Sequence, residues 1–221
     1  MGVTCMSEFK SRQPQLGLTM IRTSEARIHA HICADGYTNV SFARRDRRDI
    51  QQHHRKHVLR KYYHVRYSNT QPLLRELFKK DVADAYGRRA VVLGDEVEVE
   101  GKWIFDRLRK MGALDSYGWN VAPEILYGSK TTNTEWLKAF FDDEGTVDES
   151  HKRVRIKSVN ENGLRQVKQM LSRIKINSNI TGPNCDKTWY LTVNYENVER
   201  FRKLVGFRHP KRSERLENLA I

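Results

Sequence analysis

Residues 135–147 read EWLKAFFDDEGTV. An apolar run at helical spacing breaks off in three acids, Asp142, Asp143 and Glu144, and Gly145 then opens a β-branched stretch. Negative charge at a helix C-terminus opposes the macrodipole, and here it does so in a chain whose net charge is +13. Acids placed against that field call for a compensating cation, and unpaired helix-end carbonyls can add oxygen ligands to it. The arrangement has an echo upstream. Setting IHAHICADG (28–36) beside LKAFFDDEG (137–145) aligns Asp35 with Glu144 and Gly36 with Gly145, and 144 − 35 = 109 residues separate the two acids.

The elements around each acid repeat in order. The first unit opens with a helix over 24–34, capped by Ser24, and continues into the strand YTNVSFARR. A basic loop or hairpin tip is predicted over 44–57 (RRDRRDIQQHHRKH), then a strand ending at Ser68 and an amphipathic helix over 70–86. A strand pair turning at Gly94-Asp95 and a helix over 103–114 close the unit. The second unit has a helix over 134–143, a strand at 152–158, a helix at 162–174, strand material near 178–182 and at 187–195, and a helix at 196–204. Its first hairpin is shorter. Element order, rather than residue similarity, carries the repeat. The expected organisation is a lead-in over 1–19, a first subdomain over 20–116, a linker over 117–133 and a second subdomain over 134–221. Trp103, Trp136 and Trp189 fall on apolar faces and are expected in the core. The Glu96, Glu98, Glu100 ladder is expected to face solvent at a sheet edge.

Hydrophobic residues are 38% of the 221 and mean hydropathy is −0.72, the balance of a globular chain with a very polar surface. Forty Lys and Arg against 27 Asp and Glu give a pI near 9.8, which points to a polyanionic partner. Nucleic acid fits better than a membrane surface, because no basic amphipathic helix stands out. Residues 1–20 hold no long apolar stretch, so neither a signal peptide nor a membrane span is expected, and the location is taken as intracellular, in a prokaryotic cytoplasm or an organelle. Cys5, Cys33 and Cys185 are too far apart for a zinc cluster and read as free thiols. His53 and His57 have i, i+4 spacing but fall in the basic loop, where a metal site is not expected.

The two motifs, their spacing, the strand pair after each and the tail GFRHPKRSERL (206–216) resemble the LAGLIDADG homing endonucleases, in the two-motif, single-chain form of archaeal and intein-type members. The resemblance implies an α+β fold of two pseudo-symmetric αββαββα subdomains, packed through their motif helices, with a β-sheet saddle for DNA. Small residues at Ala30, Ala34 and Ala139 would let the motif helices approach, with Asp143 a departure from that pattern. His29, His31 and Lys138 depart from the apolar consensus and are expected on the surface, and Asp142 as a solvated neighbour of the functional acid.

The resemblance also implies that Asp35 and Glu144 lie side by side, binding two or more Mg²⁺ ions with the carbonyls of Ala34 and Asp143, and that Ca²⁺ or Mn²⁺ can substitute. Cuts would fall across the minor groove of double-stranded DNA and leave 3′ overhangs. Lys211, Ser68 and Ser158 are the candidates for orienting water; the serines stand where many members carry Gln or Asn. Antiparallel ribbons fit the major groove, and the expected DNA contacts are Tyr37, Asn39, Ser41, Arg44, Arg45, Arg47, Arg48, Arg60, His64 and Arg66 in the first half. In the second half they are Arg153, Arg155, Lys157, Thr188, Tyr190 and Thr192. The expected partner is a DNA target of about two helical turns, bound by a monomer. The chain ends without the His-Asn pair of splicing domains, so an intron-encoded or free-standing enzyme is favoured over an intein. The alternative is an RNA maturase acting on intron RNA, or a non-cleaving DNA-binding protein.

Overall fold

The computed structural model describes residues 21–48 and 55–219, with backbone alone at 44–48 and 55–58. The first half runs α1 (Thr23–Ala34), β1 (Gly36–Arg48), β2 (Arg55–Ser68), α2 (Pro72–Tyr86), β3 (Val91–Leu93), β4 (Glu96–Glu100) and α3 (Lys102–Lys110). After a short helix α4 (Pro123–Leu126), the second half repeats the order as α5 (Lys130–Glu144), β5 (Gly145–Asp148), β6 (Arg153–Ser158), α6 (Glu161–Arg173), β7 (Asn179–Thr181), β8 (Trp189–Val193) and α7 (Tyr195–Leu204). A further helix, α8 (Pro210–Leu219), closes the described chain. Each half forms one antiparallel sheet, ordered β1-β2-β4-β3 and β5-β6-β8-β7. The α+β fold with two equivalent subdomains is therefore present, and the first hairpin of the second half is the short one.

Local chemistry explains the boundaries. Pro72 sits in the first turn of α2, and Gly87 ends it in the left-handed region at φ 62°. Ser129 and Asn160 cap α5 and α6, accepting from the amides of Thr132 (3.0 Å) and Gly163 (2.9 Å). The segment 117–133 holds α4 and the first four residues of α5. In each sheet one face is apolar: Val65, Tyr67, Val97 and Val99 in the first, Val154, Ile156, Leu191 and Val193 in the second, all buried under the helices. The opposite faces stay open.

The two motif glycines meet the same demand. A Cβ on Gly36 would lie 2.7 Å from the Cα of Ile32 and 2.9 Å from the Arg66 carbonyl oxygen. On Gly145 it would lie 2.5 Å from the Phe141 carbonyl oxygen and 2.8 Å from the Phe207 ring. Each strand leaves its helix so sharply that it crosses the helix's own last turn.

Four expectations are corrected. The span 44–57 is not a loop throughout: β1 reaches Arg48 and β2 starts at Arg55, because the two segments pair with each other antiparallel as far as Arg48 opposite Arg55. Ser24 is not the cap of α1; Arg22 holds that position and Ser24 is buried within the first turn. The glutamates of β4 are not at a sheet edge, since β4 lies between β2 and β3. Trp103 is 63% exposed, standing edge-on to Tyr86, whereas Trp136 and Trp119 are core.

Candidate metal centre and nucleic-acid interface

α1 and α5 pack against each other at the centre of the molecule, with Ala30 and Ala139 fully buried. Three acids gather where the two helices end. Asp143 is buried: Tyr67 Oη donates to its Oδ1 at 2.6 Å and His31 Nδ1 lies 2.7 Å from its Oδ2. Asn69 Nδ2 bridges the repeats, at 3.2 Å from Asp143 Oδ1 and 3.4 Å from Asp35 Oδ2. Arg212 Nη2 donates to the Asp143 carbonyl at 2.9 Å, and the Ser68 amide donates to the Asp35 carbonyl at 3.1 Å.

The electrostatics follow from this crowding. Burial, and then the charges of Asp35 and Asp143, push the Glu144 carboxyl up to about 7. Burial and the Asp143 charge push Asp35 up to about 6, with Arg212 and His31 pulling the other way. Burial alone would lower His31, but the charge and hydrogen bond of Asp143 beside it outweigh burial and raise it. Asp143 is thereby held by His31 and Tyr67, while the nearby charge of Arg212 only partly offsets the burial of Asp35 and Glu144. Oxygen donors gathered at the two helix ends, with Asp35 and Glu144 raised by burial and by neighbouring charge, suit a hard divalent cation. Glu144 also opens onto a cleft of about 330 Å³ shared with Ala34, Lys157, Ser158 and Thr188.

Several residues sit differently from expectation. His29 and His31 are not on the surface; both are fully buried in the α1–α5 interface. His29 Nε2 lies 2.9 Å from the Met111 carbonyl, and Trp136 Nε1 donates to His29 Nδ1 at 3.0 Å. A carbonyl only accepts and an indole N–H only donates, so the ring is the neutral Nε2–H tautomer, and burial pushes it down to about 4. Asp142 is not solvated: it is fully buried, and its Oδ1 accepts the amides of Arg208 (2.6 Å) and His209 (2.9 Å), anchoring the tail at the start of α8. Lys211 is exposed, and it is the adjacent Arg212 that reaches the acids. The Ser158 hydroxyl accepts the Asn160 amide at 3.1 Å. Tyr67, Asn69 and Arg212 carry no role in the sequence reading and His31 only that of a surface residue, although Asn69 directly follows Ser68 at the strand end where the resemblance implies an amide side chain.

The open sheet faces hold the expected DNA contacts. On the second sheet, Arg153 Nε lies 2.9 Å from Asp148, and the Arg155 guanidinium stands 4.9 Å over the Tyr190 ring. Lys157 pairs with Asp186 at 2.6 Å, Thr188 donates to the same Asp186 at 2.5 Å, and Thr192 is buried between strands. On the first sheet Arg60 is exposed, but its neighbours are tied to the β4 glutamates. Tyr37 Oη donates to Glu96 at 3.0 Å, Arg66 pairs with Glu98, and Ser41 Oγ lies 2.7 Å from His64 Nε2. Asn39 sits on β1 beside them, its Oδ1 buried without a partner among the described residues. The side chains of Arg44, Arg45, Arg47 and Arg48, with His53 and His57, lie outside the described residues.

Comparison with known proteins finds the same fold elsewhere. Residues 131–206 match the family model described as a LAGLIDADG-like domain. The homing endonuclease I-DmoI in complex with DNA and Ca superposes with a TM-score of 0.60 at 16% identity, covering 89% of this chain and 97% of that one. I-DmoI in complex with DNA and Mn gives 0.58 at 17% identity, with 83% and 96% covered. Full-length DUF199/WhiA from Thermatoga maritima gives 0.51 at 13% identity, with 93% and 63% covered. No curated protein sequence matches the chain. Among the described residues no helix is long and apolar enough to cross a membrane.

Proposed function

We propose that this two-repeat LAGLIDADG protein is a divalent-metal-dependent, site-specific endonuclease that cuts both strands of duplex DNA. The observation that carries the reading is the meeting of acids from both repeats at the ends of α1 and α5: Asn69 joins Asp35 to Asp143, and the charge of Asp35 is felt at the neighbouring Glu144. A protein that only gripped DNA would gain nothing from unneutralised carboxylates aimed at phosphates. The fold of the DNA- and metal-bound I-DmoI structures supports it.

In this reading Asp35 and Glu144 hold the cations, one from each pseudo-repeat, with the Ala34 and Asp143 carbonyls at the same helix ends. Mg²⁺ is the expected ion; when bound it lowers the pKa of a coordinated water and stabilises the departing 3′ oxygen. His31, Tyr67 and Asn69 fix Asp143, and hence the end of α5, in register with α1. Arg212 brings positive charge to the phosphate side of the acids. Ser68 and Ser158 stand at the matching strand ends, able to hold water, and Lys211 faces solvent on α8 where it can meet the backbone of the duplex. Arg153, Arg155, Lys157, Thr188 and Tyr190 line the second half-site; Arg60 and the β1–β2 ribbon reach along the first. The pseudo-symmetry suits one cut per strand across the minor groove, leaving 3′ overhangs, by a monomer on a target of about two helical turns. Intron homing is the biological role that fits such an enzyme.

The test is cleavage of a DNA library carrying candidate insertion sites, in Mg²⁺ and in Ca²⁺, with Asp35→Asn and Glu144→Gln as controls. Cutting in Mg²⁺ that disappears in either variant while DNA binding persists supports the nuclease. A second reading, a non-cleaving DNA binder, is favoured by one contact: Arg212 already occupies the Asp143 carbonyl. Tight binding of one DNA sequence with no cutting in any divalent metal would establish it instead.

A further inference from the structure

We infer that the open face of the first sheet carries a separate site for a divalent transition-metal ion of zinc-like chemistry, with His64 Nδ1 and one carboxylate oxygen each from Glu98 and Glu100 as ligands. The pairing of β2 with β4 sets His64 opposite Glu100 and Arg66 opposite Glu98. The three donor atoms all fall within 4.8 Å of one another. His64 Nδ1 lies 3.2 Å from Glu98 Oε1 and 3.8 Å from Glu100 Oε1.

The histidine is what separates this from an ordinary acidic ladder. Its side chain is 9% exposed, Ser41 Oγ engages its Nε2 at 2.7 Å, and the Tyr62 ring lies nearly parallel to it. The ring is thus fixed with Nδ1 turned into the carboxylates, yet Nδ1 is buried and makes no hydrogen bond, its alignment on Glu98 being too poor despite the distance. An imidazole nitrogen turned between two carboxylates, with no aligned hydrogen bond to either, leaves a position that a cation can fill.

Outer contacts resemble those of a ligand shell. Arg66 Nε holds the other oxygen of Glu98 while its Nη1 lies 3.6 Å from Glu96, and the Ser41 hydroxyl on Nε2 orients the imidazole. One imidazole with two carboxylates and room for water suits zinc or cobalt better than magnesium, unlike the all-oxygen acids of α1 and α5. Arg66, shared between Glu98 and Glu96, offsets only part of the charge of the three glutamates, and a bound dication would neutralise the rest around Glu98 and Glu100. On a face that the proposed function turns towards DNA, that matters; the metal site itself does not depend on that function.

The test uses the full chain with Asp35→Asn and Glu144→Gln to disable the other acids, and Cys5→Ser and Cys185→Ser to remove thiols. Zinc is titrated by calorimetry, and cobalt by visible absorption. One equivalent is expected to bind, with affinity falling at least about 10-fold on Glu100→Gln and on His64→Gln, while circular dichroism stays unchanged. Glu100 is exposed, so its variant decides even if His64→Gln misfolds. Failure of the parent to bind zinc at 100 µM free metal (about 5.5 kcal/mol of binding free energy), or binding unaffected by Glu100→Gln, would overturn the site. None of these readouts uses DNA cleavage, so the nuclease reading and the zinc site fail independently.

Discussion

At the residue scale the chain invests in buried charge. Raised carboxyls bind protons more tightly folded than unfolded, so Asp35 and Glu144 cost the metal-free fold stability as pH rises from about 4 through 7. Glu144→Gln is therefore expected to raise the metal-free Tm at pH 8 by roughly 3 °C and to abolish the further stabilisation that Mg²⁺ gives the parent, both read by calorimetry. His29 works with the opposite sign. Its ring is held down to about 4 against about 6.5 in an unfolded chain, so its contribution is full above the unfolded value and is lost as pH falls towards the folded one. His29→Gln keeps a donor for Met111 and an acceptor for Trp136. Relative to that variant, the parent is expected to lose about 2 kcal/mol between pH 7 and pH 5, measured by urea unfolding.

At the scale of elements, the second half is tied to the segment before it by one helix face. Asn160 Nδ2 donates to the Trp119 carbonyl at 2.6 Å, the Val121 amide donates to Gln166 at 2.7 Å, and the Trp119 ring lies directly on Gly163 of α6. Alanine is the better helix former by about 1 kcal/mol, yet a Cβ at 163 would overlap the indole. Gly163→Ala is expected to lower Tm by roughly 3–6 °C, from an overpacking cost of about 2–3 kcal/mol against that gain. A rise in Tm would show that Trp119 is free to move.

For the whole molecule, the open faces of the two sheets differ. On the second, Arg153, Arg155 and Lys157 outnumber their partners Asp148 and Asp186, whereas on the first Glu96, Glu98 and Glu100 surround Arg66. Phosphate contact near the centre should therefore rest more on the second half. Lys157→Ala is expected to weaken duplex binding on every sequence and to reduce the salt slope of log K by about 1, checked by titrations at several salt concentrations. Arg60→Ala, on the first sheet, tests the same quantity across the pseudo-dyad.

Much of this protein was legible in its sequence because the signals were local. The acid-glycine pair after an apolar helix, met twice, rests on contacts within one helical turn: Gly36 against Ile32, Gly145 against Phe141. Element order and the alternation of Val154 and Ile156 with Arg153, Arg155 and Lys157 likewise depend only on neighbours along the chain. His29, His31, Asp142 and Arg212 could not be placed that way. Their partners lie 66 or more residues distant, and a polar side chain in a helix carries the same local pattern whether water or a buried acid receives it. Only tertiary packing decided which it would be: α1 on α5 for the two histidines, and the 208–212 segment on the end of α5 for Asp142 and Arg212.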